Sequence, residues 1–278
     1  MPGSCWPPWR REAPSQRVAV GIEYDGSGFV GWQRQASGRS VQAEVEKALT
    51  RIAAEPVQVV TAGRTDAGVH ALMQVAHFDT TKARAEHHWV LGANRHLPGD
   101  IALHWARGVA DEFHARFSAV ARCYRYGIRE SRTRPVLQRK RCAWVTARLD
   151  LDAMREGAKY LEGEQDFSAF RAAGCQARSP TRTLSRIELW RDSGMLFVEV
   201  EANAFLQHMV RNMVGSLILV GRGRKQPAWM GEVLAGRDRR RAGPAAPPQG
   251  LTLVGIAYPE RFGLPGQKPL LSSEFTQD

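Results

Sequence analysis

The segment Thr61-Ala62-Gly63-Arg64-Thr65-Asp66-Ala67-Gly68-Val69-His70-Ala71 holds one carboxylate, Asp66, with Arg64 and His70 on either side of it. A single acid among cationic and hydrogen-bonding neighbours suits a nucleophile or an ion-paired anchor. Ordinary turn chemistry is the alternative, because an Asp before a small residue and a Gly bonds its own backbone. Gly63 and Gly68 bracket the acid and are expected to take the backbone conformations that a tight loop requires.

Such a loop has to be held between rigid elements. Val57 to Val60 is short and β-branched, and Met73 to Asp79 alternates apolar and polar side chains, so the acid is expected on a loop between two strands. Upstream, Val18, Val20 and Ile22 alternate along another strand. Gly26-Ser27-Gly28-Phe29-Val30-Gly31 then matches a dinucleotide-binding fingerprint in letters only, since those glycines run into the polar Trp32 to Gly38 loop and not into a helix. In that loop Trp32 and Arg34 read as an exposed RNA-gripping pair, with a core-plugging Trp32 as the alternative. A helix follows from Ser40, a good N-cap, with Val41, Val45, Ala48, Leu49 and Ile52 on one stripe.

Further along, Glu86 to Arg95 is predicted as a helix and Ile101, Leu103 and Trp105 as a strand. Phe113 to Ala119 reads as a hinge. Arg122 to Arg129 is a strand with Tyr124 and Tyr126 on one face. Asp150 caps a helix ended by Gly163, and Arg182 to Arg191 with Met195 to Ala202 forms a hairpin across Asp192-Ser193-Gly194. Phe205 to Val220 is the most apolar helix and should be buried, so Arg211 within it needs a partner or must snorkel to the surface. Pro227 to Ala235 is a short helix and Leu251 to Tyr258 a last strand. Elements in this order with short connections make an α+β protein, its helices on one face of a largely antiparallel sheet.

Composition narrows the partners. The chain has 278 residues, 43% of them hydrophobic, with 39 basic against 28 acidic side chains and a net charge of +11. Basic residues, mostly Arg, interleaved with aromatic ones favour RNA, whose phosphates and unstacked bases they can hold. No apolar run is long enough to span a bilayer, which excludes a membrane protein of the helical kind. The four cysteines form no C-x-x-C pair and the histidines no H-E-x-x-H, so no metal or cofactor is expected, in a reduced, cytoplasmic setting.

The wording GRTDAGVHA around Asp66 resembles the catalytic loop of the TruA family of tRNA pseudouridine synthases. Further blocks resemble the family in the same order: Tyr24 to Ser27, Gly31 to Gln35, Phe113 to Ala119, Asp166 to Phe170 and Ala202 to Asn212, so that the likeness runs from about Arg17 to Tyr258. It implies the pseudouridine synthase fold, two related halves with their sheets side by side, divided as residues 17–112 and 113–260, with a flexible leader over 1–16 and a mobile tail over 261–278. It implies isomerisation of uridine to pseudouridine at positions 38, 39 and 40 of the tRNA anticodon arm by a homodimer, without a cofactor. Asp66 would be the nucleophile, Arg211 its ion-pair partner, Arg64 the residue that helps hold a flipped nucleotide, Tyr124 the ring that packs on the target base, and Leu251 an apolar contact beside it. A non-catalytic RNA-binding module of the same fold is the competing expectation. A zinc base deaminase is disfavoured because H-x-E with P-C-x-x-C is missing.

Overall fold

Alternating side chains lay down the strands and capped amphipathic stretches the helices, and the computed structural model describes residues 15–265. In chain order the elements are β1 (Gln16–Tyr24), α1 (Val41–Ala53), β2 (Val60–Thr61), β3 (His70–Thr80), α2 (Glu86–His96), β4 (Ile101–Val109), β5 (Ala121–Glu130), β6 (Ala143–Val145), α3 (Leu151–Lys159), β7 (Gly163–Asp166), β8 (Thr181–Asp192), β9 (Met195–Ala202), α4 (Met209–Gly221), α5 (Trp229–Gly236) and β10 (Leu251–Ala257). The expected leader lies outside the described residues apart from its last two, and so does most of the expected tail.

One sheet runs through the molecule in the order β4-β1-β3-β10-β5-β9-β8-β7, with β2 on β3 and β6 on β5. The pairing is antiparallel except for β10 on β3 and β6 on β5. β10, the last strand among the described residues, does not lie at an edge: it joins the β4-β1-β3 half to the β5-β9-β8-β7 half. The sheets of the two halves are therefore continuous.

Register aligns Tyr24, Ala71, Leu253, Tyr124 and Val200 as cross-strand neighbours. Directly opposed residues share a face, so these five form a row across β1, β3, β10, β5 and β9. Phe78 lies on the same face and meets Trp89 of α2 edge-on at 5.2 Å. The adjoining row, His70, Thr252, Arg125 and Glu199, points to the reverse face, where Arg125 pairs with the buried Glu199 at 2.7 Å.

Local chemistry sets the helix starts. The Ser40 side chain accepts from the Ala43 N–H, and Asp150 accepts from Asp152 and Ala153. α4 begins at Met209, four residues later than its apolar pattern begins, because His208 takes a left-handed backbone (φ 62°, ψ 3°) that stops the helix from extending further back. The hinge segment is stitched to β3 by a hydrogen bond from the Ala115 N–H to His77 Nδ1 at 3.1 Å, and Tyr258 Oη donates to the Ala115 carbonyl at 2.7 Å.

Burial holds His77 near pKa 4, below its ordinary 6.5, with Arg17 and His114 adding to the effect. A protonated Nδ1 could no longer accept from Ala115. This contribution to stability is therefore complete above about pH 6.5 and is lost as pH falls through 4. Urea unfolding midpoints of the wild type and His77→Gln should converge over that window. A difference independent of pH would show that the imidazole does not titrate on unfolding.

Candidate active site

Asp66 sits at a turn fixed from three directions. From β1, Tyr24 Oη bonds Thr65 Oγ1 at 2.8 Å, and from β3 Gln74 Nε2 donates to the Gly63 carbonyl at 2.7 Å. From the Gly31 segment the Trp32 N–H donates to the Thr65 carbonyl at 3.0 Å, and Gly31 and Asp66 pair as an isolated bridge. A Cβ at Gly31 would lie 2.7 Å from the Thr65 oxygen, and its φ of +112° is closed to other residues, so the glycine is what lets the two loops meet. Of the two glycines that bracket the acid, only Gly68 uses positive φ, at +76°; Gly63 does not.

α4 approaches from the other half. Arg211 Nη1 lies 3.4 Å from Asp66 Oδ2, while its Nε donates to the Ala246 carbonyl at 2.8 Å. Ala246 in turn donates its N–H to the Arg211 carbonyl at 2.9 Å, so the guanidinium is aimed by the loop ahead of β10. The Arg211 side chain is 13% exposed and that of Asp66 27%. The charge meets its partner inside the protein instead of snorkelling. His208 Nε2 also lies 3.4 Å from the same Oδ2.

Tyr124 and Leu251 are brought to one face. Tyr124 opposes Leu253 on β10, and Leu251 opposes Tyr126, the next residue along that face of β5. The Tyr124 ring packs edge-on against Phe205, four residues ahead of α4, at 5.1 Å. Burial pushes the Tyr124 phenol well above its usual range, and Tyr24 and Asp66 nearby push the same way, so it stays neutral. Arg64 is exposed on the same loop as Asp66 and forms no ion pair among the described residues. An apolar ring, a neutral phenol and a held carboxylate can receive a nucleoside and stabilise positive character at its C1′.

Of the two residues expected to grip RNA, one is buried and the other exposed. Trp32 is 1% exposed and packs against Tyr24 with ring centroids 6.0 Å apart, so it belongs to the core and offers no face to a ligand. Apolar burial wins because the Gly31 contact folds the loop inward. Arg34 keeps its head in solvent but pairs with Glu46, a buried acid on α1 that also takes the Val59 N–H at 3.1 Å. Glu46 thus ties α1 to the segment entering β2, and Arg34 caps it from the solvent side. Trp32→Ala should lower unfolding free energy by about 3–5 kcal/mol, read from urea denaturation; a loss under about 1 kcal/mol would contradict its place in the core.

His208 was not among the candidates from the sequence. Its signal was the three-residue spacing to Arg211, which places both side chains on one side of a helix start. A cavity of about 220 Å³ lies on the reverse face, lined by residues including Asp25, His70, Arg125, Arg141 and Thr252. It contains none of Asp66, Tyr124 and Arg211 and is separate from this site.

The matching family model, described as tRNA pseudouridine synthase, covers residues 21–118 and 158–259. The chain belongs to the TruA family of tRNA pseudouridine synthases. Among its relatives, tRNA pseudouridine synthase A of Methylococcus capsulatus is 55% identical over 248 residues, 89% of this chain and 92% of that protein. The protein of the same name in Coxiella burnetii is 53% identical over 249 residues, 90% and 95% of the two chains.

Proposed function

We propose that the protein isomerises uridine to pseudouridine in tRNA, at positions 38, 39 and 40 of the anticodon arm. What supports this most is the Asp66 carboxylate, held by a guanidinium from the other half of the molecule, within a family whose named members are pseudouridine synthases. The N1–C1′ bond breaks, the uracil turns, and C5 bonds to C1′ while a proton leaves C5 and N1 gains one. Atoms balance without a cofactor. Asp66 either attacks C1′ or removes the 2′ proton, and in both routes its charge faces the carbon that becomes electron-poor.

The target base must leave its stack to reach the acid. Arg64, on the rim, would hold the opened nucleotide, Tyr124 would cover the extracted ring, and Leu251 would supply an apolar wall beside it. Exposed Arg116, Arg132, Arg134, Arg139 and Lys140 would take phosphates. The protein would work as a homodimer in the cytoplasm; among the described residues no helix is long and apolar enough to cross a membrane. Residues 17–112 and 113–260 would be its two lobes.

The test is to incubate unmodified tRNA with the protein and map pseudouridine by carbodiimide adducts that stop primer extension. Stops confined to 38, 39 and 40 are expected. Binding without any stop would favour the non-catalytic RNA-binding reading. Affinity for the tRNA should also fall linearly and steeply with salt on logarithmic axes; a flat response would remove the phosphate contacts.

A further inference from the structure

We propose that His208 is a second anchor of the Asp66 carboxylate, a positioning residue that shares Oδ2 with Arg211 and leaves Oδ1 for the ribose. The inference rests on the reaction proposed above. His208 Nε2 and Arg211 Nη1 each lie 3.4 Å from that one oxygen. Arg211 donates to that lobe and the imidazole nitrogen lies equally close to it; two groups converging on one lobe of a carboxylate restrain its plane, and no hydrogen bond among the described residues engages the other lobe.

The backbone at His208 is the second observation. Its φ of 62° lies in the left-handed region, uncommon for a residue with a side chain, and such conformations persist where the surroundings demand them. Ser40 and Asp150, at the matching position of α1 and α3, turn their side chains back onto the helix N–H groups. His208 makes no such bond. Its left-handed turn instead carries the imidazole out to Asp66, on the same side as Arg211.

Three variants separate the imidazole from the turn. His208→Gly is at ease in the left-handed region and removes the donor; His208→Gln returns an amide nitrogen close to the place of Nε2; His208→Asn tolerates the turn but is too short to reach. In a tritium-release assay on tRNA labelled at uracil C5, His208→Gly and His208→Asn should lose about 100-fold in kcat, the penalty of a poorly aimed reacting group. KM and the unfolding midpoint should stay near wild type, and His208→Gln should recover most of the rate. Wild-type kcat in His208→Gly or His208→Asn, or a raised KM with no recovery in His208→Gln, would overturn the anchor. An inactive wild-type chain would overturn the reaction itself, an outcome distinct from an active wild type beside an indifferent His208→Gly.

Discussion

Asp66→Asn is expected to bind unmodified tRNA as tightly as the wild type and to release no measurable tritium from uracil C5. The amide keeps the shape of the side chain and, with either end presented, still meets part of the network at the turn. It has no charge to offer C1′ and is a poor base toward a 2′ proton. A loss of more than about 10³-fold in kcat follows for a group that does the chemistry, with KM nearly unchanged. The fold should be indifferent, because the turn is held by Thr65, Gly63 and Gly31 and not by the carboxylate. Tritium release by Asp66→Asn at a tenth of the wild-type rate would remove the acid from its role. Loss of tRNA binding with the activity would instead make Asp66 a substrate contact.

Arg211→Met should cut kcat roughly 10²-fold, since the carboxylate loses the donor that aims it. The methionine keeps much of the unbranched length of the side chain without its charge. The Ala246 carbonyl, however, loses its Nε donor, at a cost of about 1–3 kcal/mol in unfolding free energy. Arg211→Lys sharpens the test. A lysine brings the charge but one nitrogen, which can meet Asp66 or Ala246 and not both. Its rate should fall between the other two. Full activity in Arg211→Met, measured by the same release assay, would leave the 3.4 Å pair without a part in turnover.

The order of elements was readable because their periods are clean. β1, β4, β5 and the β8–β9 hairpin alternate, and α1 and α3 announce themselves with Ser40 and Asp150. That Arg211 needs a partner was readable because a charge on a mostly apolar helix has few places to go; that the partner is Asp66 was legible only through the resemblance of the two segments to the family. Trp32 was misread for a physical reason: an aromatic ring on a glycine-rich loop has no periodicity to say which way it turns. The inward direction is set by a backbone contact between Gly31 and Asp66, which no local pattern encodes. β7 was hidden too, since Gly163-Glu164-Gln165-Asp166 is short and polar and is a strand only because β8 lies beside it. His208 escaped because its value comes from a left-handed backbone, which histidine does not advertise.

The placement of β10 bears on how the chain can reach its working form. With β10 removed, β3 and β5 would each face the gap with a row of unsatisfied backbone groups, open to pairing with the wrong strand. Among the described residues the strand that closes that gap follows every other strand in the chain, and the loop just ahead of it delivers the Ala246 carbonyl that steers Arg211 toward the acid. A nascent chain stalled ahead of Ala246 therefore carries both charged groups yet lacks the carbonyl that aims one of them and the strand that joins their halves, so competence for the reaction waits on the stretch from Ala246 to Ala257.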